Sequence, residues 1–270
     1  MGALSGLSGL SGLSGVMGGL DPDTILWRDA VIANSGTVST SSISAFDNFF
    51  KGLKADLLWP KIIDMGAFVG VGNLAAAMVK LKTAPSTARI LTNTNFVGAD
   101  YTSTGASAGL AKAGNVNAFL DTNAPSTVNS VGNSSFGSYC TSELIGGVMG
   151  AREGNQVIQI GAGGGLHVHF GNPGRVEFGA GPNVGMFSGV GLPSDVRALR
   201  NGAFVAARGS AGTAWASANT YKIFQQGNGV DFSPTRQTFY FVGLSMTDPE
   251  TNALHTRVNA LMTAFGANNY

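Results

Sequence analysis

The sequence predicts a β-dominated protein of sandwich or jelly-roll type, and three observations carry that prediction. Glycine supplies 40 of the 270 residues, about twice the usual share of roughly 7%. Charged residues make up only 11%, with four glutamates in all, against a typical ~25% charged. Helical proteins spend Lys and Glu on exposed faces; here Gly, Ser, Thr, Asn and Ala fill those positions, as in strands joined by tight turns. From Lys61 to Phe241, short apolar runs alternate with turn signals such as Gly181-Pro-Asn183 and Asn201-Gly202, the pattern of many short strands. Apolar content of 44% suffices for a core, and the length suits one large all-β domain or two small ones.

In chain order, residues 1–20 come first and stand apart. Glycine recurs every third residue, usually followed by leucine and serine: Gly6-Leu-Ser, Gly9-Leu-Ser, Gly12-Leu-Ser. A period of three fits neither helix nor strand, but it fits polyproline II, which has no internal hydrogen bonds. Such an arm cannot bury Leu4, Leu7, Leu10, Leu13, Val16 and Leu20 by itself. These six are the expected partner-binding residues of an anchor arm, whose plain alternative is a flexible Gly/Ser linker. A signal peptide fits poorly, since there is no positive n-region and glycine interrupts any apolar helix. No 18-residue apolar run reads as a membrane span.

Residues 21–270 read as the head. Asp21-Pro-Asp-Thr ends the arm, Ile25 to Ile32 opens the head and Asn34-Ser-Gly36 turns the chain. Ile43, Phe46, Phe50, Leu53 and Leu57 then recur at helical spacing, with caps among Ser39 to Ser42 and a stop at Pro60. Ala67–Val71, Ala76–Leu81, Val157–Ile160, Leu166–Phe170, Arg175–Phe178, Ala203–Ala207, Thr220–Gln225 and Gln237–Leu244 read as strands. Asn93 to Ser138 is aperiodic and rich in Asn, Ser, Thr and Gly, and reads as long loops with short strands embedded. A second helix follows Thr247 or Asp248, with Pro249 in its first turn, a stripe of Leu254, Val258, Leu261, Met262 and Phe265, and Gly266 as its stop. The two amphipathic helices are expected to pack together or against one sheet edge.

The charge pattern excludes some functions. A formal net charge of +1, with Lys and Arg isolated, lacks the footprint of nucleic-acid or anionic-membrane binding. The lone Cys140 has no partner for an intrachain disulfide and leaves the redox compartment open. His167-Val-His169 places two histidines on one strand face, with Leu166, Val168 and Phe170 on the other. An odd-length loop at Asn172-Pro-Gly174 would set Arg175 and Glu177 beside them. Metal binding needs a third ligand, and His255 belongs to the C-terminal helix, so a polar face is the expectation, with no metal and no cofactor. Glycoside hydrolysis needs paired carboxyl groups, and Glu153 and Glu177 have no acidic neighbour two residues away. No nucleophile elbow, phosphate loop or His-Glu-x-x-His helix is present. The expectation is no catalytic residue and no enzyme. Sugar binding would use loop aromatics and polar side chains, for which Trp215, Tyr139 and Asn201 are candidates, with Tyr221 and Asp195 nearby in kind.

Several phrases carry a family resemblance: Trp27-Arg-Asp-Ala-Val-Ile-Ala-Asn-Ser-Gly-Thr-Val-Ser39, Lys51-Gly-Leu-Lys-Ala-Asp56, Leu74-Ala-Ala-Ala, Asn95-Phe-Val-Gly-Ala-Asp-Tyr-Thr-Ser-Thr-Gly-Ala106, Phe119-Leu-Asp-Thr122 and Phe241-Val-Gly-Leu-Ser-Met-Thr-Asp248. Over most of residues 25–265 the chain resembles phage virion proteins with a concanavalin-A-like, laminin-G-type jelly roll. The resemblance implies a non-enzymatic structural component of tail-fibre or appendage type on the virion exterior. Its arm would dock on other virion proteins or form a homo-oligomer such as a trimer, and its lectin-like head would meet a host surface glycan. A capsid decoration protein and a polysaccharide-cleaving jelly roll are the alternatives. No calcium-loop signature of plant-type lectins can be matched.

Overall fold

The computed structural model describes residues 19–112, 117–128, 130, 132–153, 156–161, 165–171, 175–209, 219–225 and 232–268, with the backbone alone at 153 and 156–158. The arm's Leu4, Leu7, Leu10, Leu13 and Val16, the turns at 172–174 and 227–229, and Trp215 lie outside them. Helix α1 (Pro22–Ala33) is followed by α2 (Thr40–Ala55), strand β1 (Ile62–Ala67), the single turn α3 (Leu74–Ala77) and β2 (Thr92–Thr94). Next come β3 (Tyr101–Thr102), β4 (Gly109–Leu110), β5 (Phe119–Pro125), β6 (Ser134–Cys140), β7 (Gly147–Glu153) and β8 (Gln156–Gly161). The chain continues through β9 (His167–Phe170), β10 (Arg175–Glu177), β11 (Gly185–Leu192), β12 (Asp195–Arg200), β13 (Ala203–Arg208), β14 (Thr220–Ile223), β15 (Gln237–Gly243) and α4 (Asp248–Ala264).

The strands form two antiparallel sheets, so the protein is a mainly β sandwich of the jelly-roll class. The back sheet runs β13-β12-β11-β6-β15-β4-β3, with β1 also paired to β15. The front sheet runs β10-β9-β8-β7-β14-β5-β2. Aromatic side chains fill the space between them: Phe136 lies 5.0 Å from Phe170, and Phe178 meets Phe187 edge-on at 5.4 Å. Helices α2 and α4 cover the other face of the back sheet, where Phe49 meets Phe239 at 6.0 Å and Phe46 meets Phe265 at 5.6 Å. They also pack on each other, joined by the Arg257–Asp56 ion pair at 2.7 Å, as expected for the two amphipathic helices.

The centre of the back sheet, β6, β11 and β15, is therefore buried on both faces, which explains the small residues of β6 and β11. All seven residues of β6 are buried. A Cβ added at Gly137 would stand 2.4 Å from the Phe241 ring, and one at Gly189 would stand 2.2 Å from Val168 Cγ2. Glycine here makes room for large residues from the neighbouring strand β15 and from the front sheet.

Three expectations need correction, and one helix falls where no element was expected. The Ala76–Leu81 segment is not a strand: Asn73 caps the turn α3 through the Ala76 N–H, and beyond it Val79 and Lys82 make only isolated bridges, to Ile90 and Met65. The strand expected at Ala67–Val71 lies earlier, at Ile62–Ala67. The region read as loops contains the seven-residue β5 and the start of β6, a central strand. Finally, α1 opens the head: Asp21 accepts the Asp23 N–H at 2.9 Å as its N-cap, and Trp27 packs 4.3 Å from Phe46.

Candidate functional site

The front sheet pairs its strands so that one line of residues crosses all seven. Thr92 stands opposite Asp121, Asp121 opposite Lys222, and Lys222 opposite Gly150. Gly150 then faces Gln159, Gln159 faces His169, and His169 faces Arg175. Directly opposed residues point to the same side of a sheet, so this is a polar ladder spanning roughly 29 Å at ~4.8 Å per strand. The adjoining line is apolar: Leu120, Ile223, Met149, Ile160, Val168 and Val176 oppose one another in turn. That second line faces the core, where Leu120, Ile223, Met149, Ile160 and Val168 have no exposure. The period-2 alternation along β5 and β14 thus sorts the sheet into an inner apolar and an outer polar face.

Along the ladder, Asp121 accepts the Thr220 hydroxyl at 2.7 Å and the Asn123 N–H at 2.8 Å. Lys222 Nζ lies 4.9 Å from the centre of the Phe119 ring. Gly150, between Lys222 and Gln159, leaves a gap in the row of side chains. His169 is partly exposed, and burial together with the neighbouring His167 and Arg175 charges pushes its imidazole down to about 4. Arg175 pairs with Glu177 at 2.6 Å.

The expected placement of Arg175 and Glu177 beside the histidines holds, since they oppose His169 and His167. The expectation that both histidines are solvated does not hold, because His167 is only 2% exposed. Its Nδ1 lies 2.8 Å from the Gly165 carbonyl, which only accepts, so Nδ1 carries the proton. Nε2 then accepts from Gln159 Nε2 at 2.9 Å. Burial favours the same neutral form by lowering the pKa of His167. Gln159 Oε1 is left buried with no hydrogen-bond partner among the described residues.

The other expected site residues lie elsewhere. Tyr139 is fully buried in the back sheet, with its hydroxyl 3.3 Å from Asn268 Oδ1, so its ring offers no platform to a sugar. Asn201 is a turn residue with φ of 51°, and its Oδ1 accepts the Met186 N–H at 2.8 Å. Tyr221 points into the core, and Asp195 pairs with Arg197, which also bridges to Asp248. His255 sits on α4, on the far side of the sandwich from the other two histidines. Among the described residues no three His, Cys, Asp or Glu side chains converge on a common point. Asp121 and Lys222 were missed because each is a single charged residue in a short strand; only the register between β5 and β14 unites them.

No family model matches the chain, and no curated protein matches it in sequence. Solved structures similar to it include domain 4 of AbnA, an extracellular arabinanase of Geobacillus stearothermophilus in complex with arabinotriose, at 14% identity and a TM-score of 0.43. That alignment covers 72% of this chain and 98% of the domain. A mutant Trypanosoma rangeli sialidase with trans-sialidase activity is 11% identical with a TM-score of 0.47, over 81% of this chain and 39% of the sialidase. The binding domain of Paraclostridial Mosquitocidal Protein 1 is 11% identical with a TM-score of 0.40, over 72% of this chain and 52% of that one. The chain thus spans well under two thirds of the last two. The likeness is one of architecture only.

Proposed function

We propose that this chain is a non-enzymatic carbohydrate-binding sandwich whose ligand lies along the front-sheet ladder from Thr92 to Arg175. The observation that carries this reading is the line of polar side chains, interrupted only at Gly150, which sets donors and acceptors across the sheet. A sugar needs such closely spaced hydrogen-bonding groups together with an apolar surface, which Phe119 supplies beside Lys222. Asp121 and Glu177 stand five strands apart, roughly 24 Å at ~4.8 Å per strand, far beyond the 5–9.5 Å of a glycosidase pair. That separation supports binding without cleavage.

The test is a glycan array probed with the full chain, followed by titration of any ligand found. Lys222→Ala and Asp121→Asn should each weaken binding about tenfold or more, since a hydrogen bond to a charged group contributes ~1.5–3 kcal/mol. Silence across bacterial surface polysaccharides, or full-strength binding by both variants, would refute the assignment.

In the same reading the sandwich is the outward head of a virion appendage, held by residues 1–20. The glycine period of three supports this, because it leaves a row of leucines that the arm cannot bury. A homo-oligomer, with a trimer as the natural case, would cover them. Deleting residues 2–20 should abolish incorporation into particles while preserving the head's thermal transition; normal incorporation would sink the placement.

A further inference from the structure

Several strands of the back sheet start or stop around a pocket that shares no residue with the front-sheet ladder. Tyr101 opposes Leu110, and Leu110 opposes Gln237. One step beyond these pairs, Asp100, Ala111 and Arg236 stand in a row across the ends of β3, β4 and β15. The Ala111 N–H donates to the Asp100 carbonyl at 3.1 Å. The Arg236 carbonyl accepts the Thr141 N–H at 2.9 Å, which continues the row to the end of β6. Residues opposed in this way point to one side of a sheet. Asp100, Ala111 and Arg236 line an open pocket of about 370 Å³ together with Ala99, Ser142 and Pro234, a volume within the range of small-molecule sites.

The polar groups of this pocket are anchored, yet each keeps bonding capacity. Asp100 Oδ2 accepts Lys112 Nζ and the Val97 N–H, both at 2.8 Å, whereas Oδ1 has no partner among the described residues. The Arg236 guanidinium donates from Nη1 to the Gly109 carbonyl at 3.3 Å and leaves Nε and Nη2 without partners among those residues. The Ser142 hydroxyl accepts the Arg236 N–H at 2.7 Å and keeps its own proton to donate. One acceptor-only group and two donors thus border a space walled by Ala99, Ala111 and Pro234. A ligand with a net charge of either sign meets a like charge on one side. A ring with adjacent hydroxyls meets none. It donates to Asp100, accepts from Arg236 and Ser142, and lays its C–H face on the apolar wall. We infer that this pocket is a second binding site, for a single neutral sugar residue, independent of the ladder.

The test is saturation-transfer NMR of the full chain with methyl glycosides of glucose, galactose, mannose and N-acetylglucosamine. A ligand of roughly a dozen non-hydrogen atoms binds with a Kd on the order of 1 mM, and at least one glycoside should bind on that scale. Arg236→Ala should weaken it about tenfold or more. Ala99→Phe, which fills the pocket from an exposed position without touching its hydrogen bonds, should do the same in a chain that folds normally. Lys222→Ala and Asp121→Asn report on the ladder instead, so either site can fail while the other stands. No binding by any of the glycosides, unchanged binding in both pocket variants, or binding of glucuronic acid alone would overturn the assignment.

Discussion

Lys80 and Asp64 are both fully buried and lie 2.8 Å apart, between β1 and the start of the front sheet. Lys80 Nζ also donates to the Thr122 carbonyl at 2.8 Å and the Thr87 hydroxyl at 3.3 Å, using all three of its protons. Asp64 accepts the Tyr240 hydroxyl at 2.8 Å and the Ala84 N–H at 2.9 Å. Burial pushes the Asp64 carboxyl up, and the bonds from Lys80, Ala84 and Tyr240 oppose that rise. Lys80→Met would leave the carboxylate without its counter-ion and should cost about 3–5 kcal/mol in urea denaturation. Adding Asp64→Asn should recover part of the loss, because it removes the stranded charge. A double variant no more stable than Lys80→Met would contradict this account. None of this was legible in the sequence, where Lys80 reads as the polar position of a strand. A buried lysine looks like an exposed one until the chain brings its partners from 16 and 42 positions away.

Helix α4 shows what local chemistry can specify. Thr247 Oγ1 accepts the Glu250 N–H at 3.4 Å, and Glu250 Oε2 accepts the Thr247 N–H at 2.8 Å, a reciprocal cap. Glu250 also receives Lys61 Nζ at 2.6 Å, tying the helix to the entrance of β1. Thr247→Ala should therefore lower stability by about 1 kcal/mol in thermal or urea unfolding, and Thr247→Ser should restore it. An unchanged Thr247→Ala would mean that Lys61 alone holds the helix start. Both amphipathic helices were readable because cap and stripe lie within one segment, but α2 stops at Ala55, short of the expected Leu57, which is 74% exposed with φ of 58°. Helix α1 was not, because Leu26 and Ile32 are 56% and 55% exposed while Thr24 and Arg28 are buried, so no apolar stripe marks its inner face. The strands of the front sheet from β8 to β10 were legible as apolar runs between turns. β6 and β11 were not: strands buried on both faces lose their alternation, and glycine and serine there record the bulk of neighbours across the sheet. The candidate site suffers the same limit, since Asp121, Lys222, Gln159 and His169 come from four strands. Only the pairing register lines them up.

At the scale of the molecule, the sandwich is asymmetric: helices cover the back sheet, and the front sheet carries a polar ladder on its face away from the core, buried at Gly150 and Gln159 and exposed or part-exposed at its other rungs. The three histidines lie on both sides of this layered body, His167 and His169 on the front sheet and His255 on α4. Burial lowers the pKa of each, His169 to about 4. An unfolded chain takes up protons on these rings near pH 6.5, whereas the folded protein resists until lower pH. Stability contributed by the neutral rings is therefore complete above pH 6.5 and is lost as pH falls from 6.5 toward 4. Asp56, held low by its bonds to Arg257, adds a further loss only below the ordinary carboxylate range. The melting temperature should accordingly change little between pH 6.5 and 7.5 and decline steadily between pH 6.5 and 4. His169→Gln cannot be protonated and should remove part of that decline, on the order of 2 kcal/mol at pH 4 after allowance for solvent screening. Melting curves of wild type and variant at pH 7.5, 5.5 and 4.5 decide the matter. If the two fall in parallel, His169 titrates alike in folded and unfolded chains, and the burial assigned to it is wrong. Because His169 is a rung of the ladder, its charging below pH 5 would also change the binding face. Glycan binding and stability should then weaken over the same acid range in the wild type and separate in His169→Gln.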